Sequence, residues 1–97
     1  MNKQHPIPFD KVNITGGFWK DRIALNESVT LDSVRRRFED TGRFSALSCE
    51  WKQGEPDRPH FFYDSDAAKW MEAAAYVLER KNDKQLESYV GDLIDRI

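Results

Sequence analysis

Two carboxylates near the middle of the chain are of a type and spacing that suggest sugar chemistry. Asp64 and Asp66 flank Ser65, and glycosidic bonds are commonly hydrolysed between two carboxyl groups about 5 to 10 Å apart. Residues two apart at the start of a helix do not face each other across a sugar. Asp64 and Asp66 are therefore not predicted to be a catalytic pair.

Two interpretations of these carboxylates remain open. In the first, Asp64 or Ser65 accepts hydrogen bonds from free N–H groups at a helix start, where negative charge suits the helix dipole. In the second, Asp64 and Asp66 orient a substrate hydroxyl without performing chemistry. Arg43, in the preceding loop, either donates to a sugar hydroxyl or is a structural charge, solvated in the loop or paired in a salt bridge. Arg43, Asp64 and Asp66 are thus the candidate substrate-binding residues.

Several aromatic residues near these positions could stack on a sugar ring, although such side chains more often fill a core. They are Trp51, Phe61, Phe62 and Tyr63. Metal binding is not expected, because Cys49 is the single cysteine and His60 has no second ligand nearby.

The composition is typical of a soluble, folded segment. The chain has 97 residues, 39% hydrophobic and 33% charged, which allows one small domain at most. Its net charge of -2 creates no field that would attract nucleic acid or an anionic membrane. No run of about 18 apolar residues is present, and the expected location is the cytoplasm.

The apolar pattern predicts an all-α structure after a short extended lead-in. Residues 1–17 contain two prolines and end in a turn at Gly16-Gly17. Phe18 to about Asp40 fits a helix in two pieces, with a break near Asn26 to Ser28. Thr41 to His60 is predicted to be a loop of about twenty residues, a length that is often functional.

Two amphipathic helices follow this loop. An apolar stripe with helical spacing begins after Asp66 and includes Trp70, which is expected in the core. A polar link then leads to Asp83, a suitable N-cap for a second stripe that continues to Ile97. The two helices are predicted to form an αα-hairpin. Because the period persists to the final residue, we expect further helices beyond this sequence to cover the apolar faces.

Three segments together resemble one enzyme family. Residues 59–78 contain an aromatic triplet, Asp-Ser-Asp, Lys-Trp, an acidic residue and an Ala-rich helix. Gly17 to Arg22, and Thr41 to Phe44 followed by Trp51-Lys52, resemble other parts of the same pattern in the same order. The chain is thereby similar to the N-terminal region of glycoside hydrolase family 127, the β-L-arabinofuranosidases.

The resemblance implies an (α/α)6 barrel followed by β-sandwich domains. It also implies a retaining hydrolase of β-L-arabinofuranosides in plant-derived glycans, with a cysteine nucleophile beside a zinc ion in the full-length enzyme. Those residues lie downstream of the matched region, and Cys49 corresponds to none of them. Residues 1–97 would then be an incomplete N-terminal part of one catalytic domain, about one and a half helical hairpins. Such a fragment is expected to be inactive alone.

A second hypothesis stays open at this point. The chain would then be a small helical module whose exposed apolar faces bind a protein partner or a second copy of the chain. Carbohydrate is the partner expected under the first hypothesis, and self-association is the one expected under the second.

Overall fold

The computed structural model describes residues 3–97, and all regular structure within that range is helical. The α-helices are α1 (Gly17–Leu25), α2 (Leu31–Asp40), α3 (Tyr63–Arg80) and α4 (Lys84–Arg96). A π-helical segment (Asn26–Thr30) joins α1 to α2, and 3-10 turns occupy Phe9–Lys11 and Ser45–Ser48. The predicted all-α class is confirmed.

The predicted break between the first two helices is replaced by the π-helical segment. Backbone dihedrals stay helical on both sides, at φ −61° and ψ −43° for Asn26 and φ −58° and ψ −46° for Leu31. A π turn holds about one residue more than an α turn, which rotates the following apolar positions by about 100°. The shift in the apolar pattern between the two helices is therefore explained by the π-helical segment. The prediction that the helix is interrupted there was wrong.

The end of α2 is fixed by a Schellman motif. Gly42 adopts a left-handed φ of 75°, and its N–H donates to the carbonyl of Glu39 (3.1 Å). The N–H of Arg43 donates to the carbonyl of Phe38 (2.9 Å). These are the two hydrogen bonds that satisfy the free carbonyls of a terminating helix, and glycine tolerates the required conformation. The chain therefore turns sharply into the loop at the predicted position.

The predicted αα-hairpin is present, with α3 packed against α4. Asp83 is the N-cap of α4, and its carboxylate accepts the N–H of Leu86 (3.0 Å), as expected. The helix α3 begins at Tyr63, one residue before Asp64, so the first turn already contains both carboxylates. This earlier start could not be predicted from the apolar stripe, which begins one turn later.

The core lies between α2, α3 and α4. Its buried side chains are Leu31, Phe44, Ala67, Trp70, Ala74, Val77, Val90 and Leu93. Trp70 is 4% exposed, in agreement with the prediction, and its indole N–H donates to the carbonyl of Leu31 (2.9 Å). This buried hydrogen bond attaches α3 to the first residue after the π-helical segment. Burying an aromatic side chain with its polar atom satisfied is strongly stabilising.

Phe44 is the centre of an aromatic cluster that the apolar pattern did not identify. It is 1% exposed, and its ring lies edge-on to Phe38 (5.7 Å between centroids), Trp70 (5.4 Å) and Tyr89 (6.1 Å). Edge-to-face packing at this separation is favourable. A single loop residue thus connects α2, α3 and α4.

The N-terminal part of the structure has no comparable core. None of residues 3–30 is buried, and Phe18 and Trp19 on α1 are 59% and 66% exposed. The accessible surface is 8077 Å², whereas a compact monomer of 11.4 kDa would expose about 5,800 Å². The radius of gyration is 16.9 Å, against about 12.5 Å for a compact domain of this length. Much apolar surface is therefore left uncovered.

Within residues 3–97, every helix is too short or too polar to cross a membrane.

Candidate functional site

The loop between α2 and α3 contains most of the residues whose chemistry drew attention in the sequence. It includes one 3-10 turn and two non-glycine residues with left-handed backbone, Cys49 and Asp57, both at φ 58°. Such conformations cost free energy, so the surrounding contacts must hold them in place. The loop is attached to the core near its start by Phe44 and leads into α3 at Tyr63.

Arg43 and Asp66, two of the three predicted substrate-binding residues, bind each other. The Nε of Arg43 donates to Oδ2 of Asp66 (2.7 Å), and the side chains are 17% and 23% exposed. Arg43 also donates to the Thr41 hydroxyl (2.7 Å), and its guanidinium lies 5.2 Å from the centre of the Phe38 ring. This partly buried ion pair joins the start of the loop to the first turn of α3. The salt-bridge interpretation of Arg43 is the one that the geometry supports.

Asp64 lies apart from that pair, and its side chain is exposed. Its carboxylate accepts the backbone N–H of Ser65 (2.8 Å), while the Ser65 hydroxyl donates to the carbonyl of Phe62 (3.2 Å). Phe62 is the N-cap residue, and no side chain caps the helix there. Asp64 thus satisfies one free N–H from within the first turn, and its charge faces the positive end of the dipole. The capping interpretation is correct in that the Asp64 carboxylate accepts a free backbone N–H. Asp64 is not the N-cap residue, however, because that position is occupied by Phe62.

The loop lines two clefts, one containing Phe61 and one containing Asp57, and neither is lined by Arg43, Asp64 or Asp66. Their role in binding a substrate therefore stays a prediction. The structure brings Arg43 and Asp66 together and leaves Asp64 separate.

A cleft of about 570 Å³ opens on the loop, and we call it the aromatic cleft. It is lined by Ala46, Cys49, Trp51, Arg58, Pro59, His60, Phe61 and Tyr63. Three of the four aromatic residues singled out in the sequence meet here, and Phe61 is 83% exposed. The expectation that these side chains fill the core was wrong, because the core takes its aromatic rings from the helices and from Phe44. Arg58 was not identified in the sequence, where an isolated loop arginine has no distinguishing pattern.

Hydrogen bonds to the backbone fix the ring of Trp51 in the aromatic cleft. Its indole N–H donates to the carbonyls of Glu55 (3.2 Å) and Pro56 (3.0 Å). The carboxylate of Glu55 also accepts the N–H of Lys52 (3.2 Å). The short turn after Trp51 therefore holds one face of the indole in a defined orientation.

Tyr63 and Cys49 lie next to each other in the wall of this cleft. The neighbouring Cys49 side chain raises the pKa of the Tyr63 phenol, and the charge of Asp64 adds in the same direction. The phenol therefore stays neutral at physiological pH and offers both a donor and an acceptor. Cys49 is exposed and unpaired among the described residues.

A second cleft of about 580 Å³ also has Trp51 in its lining and is polar. We call it the acidic cleft, and the carboxylates that line it are Glu39, Asp40 and Asp57. Ser45 and Ser48 add hydroxyl groups to its wall. The two clefts share four lining residues, Ala46, Trp51, Arg58 and Pro59, so an aromatic surface and an acidic surface adjoin each other on the loop.

The zinc ion that the resemblance implies does not fit the residues described. Among residues 3–97, no group of three His, Cys, Asp or Glu side chains is placed to hold a metal ion. No step of a reaction is therefore assigned to a metal on this chain.

Comparison with protein-family models shows a match over most of the chain. The family model described as beta-L-arabinofuranosidase, GH127 catalytic domain, matches residues 11–97. No curated protein and no solved structure matches the chain significantly. The matched range includes all four α-helices, the loop and both clefts.

Proposed function

Because the chain belongs to the GH127 β-L-arabinofuranosidase family, we propose that it supplies the first helices of an (α/α)6 catalytic barrel in a glycoside hydrolase. The substrate would be a glycan that carries β-L-arabinofuranosyl groups. The observation on which this depends is the extent of the family match, which spans 87 of 97 residues, from 11 to 97.

The uncovered apolar surface supports this assignment. In an (α/α) barrel each helix packs against neighbours on both sides, so a few helices alone leave apolar faces exposed. Trp19 and Phe18 on α1 are more than half exposed, and α1 lies outside the core that joins α2, α3 and α4. We propose that this face of α1 packs against later helices of the same domain.

In this role the described residues bind and position carbohydrate, and they do not break its bonds. The Arg43–Asp66 ion pair and the burial of Phe44 attach the start of the loop to the helices. The loop then presents aromatic faces and hydroxyl-binding groups on a rigid support, as carbohydrate positioning requires. The residues that attack and protonate the glycosidic bond would come from later parts of the barrel.

An activity assay tests the proposal that this chain binds carbohydrate without cleaving it. The purified 97-residue chain is incubated with p-nitrophenyl β-L-arabinofuranoside, and nitrophenol release is followed by absorbance. We expect no release above the rate in buffer. Turnover that is abolished by Asp64→Asn or by Cys49→Ser would place chemistry on this chain and contradict the proposal.

The nucleotide sequence after the codon for Ile97 tests the assignment to a larger barrel. An in-frame continuation that encodes further helical hairpins and a cysteine-rich segment would support it. An authentic stop codon with no homologous sequence after it would contradict it.

The exposed apolar side chains also support a second candidate function, a helical module that self-associates or binds another protein. The relevant residues lie on α1 and on the π-helical segment that follows it. They are Phe18, Trp19, Leu25 and Val29, each at least 45% exposed. Sedimentation velocity at several concentrations separates the two candidates. An interaction module requires one defined stoichiometry, whereas an uncovered barrel segment is expected to associate without one.

A further inference from the structure

We propose that the aromatic cleft is a binding subsite for a sugar ring of the substrate glycan other than the ring whose bond is cleaved. This inference rests on the proposed function, because it takes carbohydrate as the ligand class. It adds a location and a set of contacts that the family assignment does not give.

Aromatic rings surround one concave surface of the loop. Trp51, Phe61 and Tyr63 line a cleft of about 570 Å³, which lies within the range of small-molecule sites, about 300 to 1,000 Å³. The face of an aromatic ring carries negative charge density, and it attracts the weakly positive C–H groups on the apolar face of a sugar. Phe61, at 83% exposed, contributes little to the fold and is available for such a contact.

The aromatic cleft also contains hydrogen-bond donors beside its rings. The Nδ1 atom of His60 accepts the N–H of Phe62 (3.1 Å), so the neutral imidazole carries its proton on Nε2. That N–H remains free to donate to a sugar hydroxyl. Arg58 adds a guanidinium that forms no ion pair with any residue that the structure describes. Aromatic faces with donors at their rim match the amphipathic surface of a sugar.

The residues that line the aromatic cleft favour binding over catalysis. No carboxylate lines it, whereas three line the acidic cleft. Hydrolysis of a glycoside needs a proton donor as well as a nucleophile or base. The aromatic cleft has no carboxyl group to donate that proton, and the thiol in its wall, Cys49, corresponds to none of the catalytic residues that the family resemblance implies. A ring held there would therefore be oriented without being cleaved.

The test is a titration of the 15N-labelled 97-residue chain with methyl β-L-arabinofuranoside, followed by two-dimensional NMR. We expect millimolar binding, with shift changes concentrated at the Trp51 indole N–H and at the backbone amides of 58–63. Sorbitol, an acyclic polyol without a ring face, is the matched ligand control and should leave these signals unchanged.

Two variants locate the site. Phe61→Ala should raise the dissociation constant roughly three- to tenfold, because one stacking face is lost. Phe18→Ala removes a comparably exposed ring from α1 and should leave the dissociation constant unchanged. His60→Gln should weaken binding without changing the helical circular dichroism, since His60 is exposed.

Several results would overturn the subsite. They are no shift up to the solubility limit of the sugar, equal shifts with sorbitol, or equal effects of the two phenylalanine variants. A chain without helical circular dichroism would overturn the geometry on which the cleft depends. The proposed function is tested separately by turnover and by the downstream coding sequence. A chain that neither binds nor hydrolyses the sugar would therefore disprove the subsite and leave the barrel assignment intact.

Discussion

Trp19 and Trp70 are chemically identical and have opposite environments. Trp70 is 4% exposed and donates a buried hydrogen bond to Leu31. Trp19 is 66% exposed, and the aromatic contact described for it is with its neighbour Phe18 (5.0 Å). The helices around Trp70 cover one another, whereas α1 projects from that core. The part of the fold from α2 onward is therefore stabilised by its own contacts, whereas no side chain of α1 is buried.

The largest expected effect comes from removing the centre of the aromatic cluster. Phe44→Ala deletes a ring that contacts α2, α3 and α4 and should destabilise the chain by about 3–5 kcal/mol, a large share of the stability of a small domain. Urea unfolding followed by circular dichroism measures the change. Phe18→Ala is the matched control on α1 and should change the stability by less than about 0.5 kcal/mol. Equal costs for the two variants would show that the regions do not differ.

A smaller effect is expected from the ion pair that attaches the loop. Arg43→Met leaves the Asp66 carboxylate partly buried, at 23% exposed, without its partner. The expected cost is about 1–2 kcal/mol, measured by the same urea unfolding. The control is Lys84→Met, which breaks the Lys84–Glu87 pair, where the side chains are 82% and 61% exposed. No measurable change in stability is expected there. If Lys84→Met costs as much stability as Arg43→Met, the Arg43–Asp66 ion pair does not specifically stabilise the attachment of the loop to α3.

The smallest effect is a pH dependence at the contact between α2 and α4. Burial raises the pKa of Tyr89 from 10.0 to about 12, and its hydrogen bond to the Glu39 carboxylate acts in the same direction. The fold therefore favours the neutral phenol, so this contribution is complete below pH 10.0 and is lost as the pH rises toward about 12. Urea midpoints measured across this range should fall in the wild type. Tyr89→Phe should show a smaller fall, and an identical fall would remove Tyr89 as the cause.

The two C-terminal helices were predictable because local and tertiary signals agree there. The apolar stripe that includes Trp70 has an uninterrupted helical period, and Asp83 stands where an N-cap is needed. The π-helical segment was not predictable, because one inserted residue and a break shift the apolar period in the same way. Phe44 was missed since a single apolar residue in a loop has no period. The preceding Thr41-Gly42 pair, typical of a helix end, was the available signal.

The sequence indicated which residues could belong to the candidate site, but it did not indicate which of them contact one another. Arg43 and Asp66 are 23 residues apart in sequence, and their pairing depends on how the loop returns to α3. The aromatic residues near them were identified, but sequence could not show that Phe61 faces solvent while Phe44 is buried. Arg58 acquires significance only because the fold places it between two clefts.

Amide hydrogen exchange, resolved by residue, tests most directly whether this chain is an unfinished part of a larger helical domain. We expect slow exchange in α2, α3 and α4 around the Trp70 core, and fast exchange in α1 from Gly17 to Leu25, where no side chain is buried. Protection in α1 equal to that in α3 would mean that the chain stabilises its N-terminal part without further helices. That result would contradict the proposal that α1 packs against later helices of a larger domain.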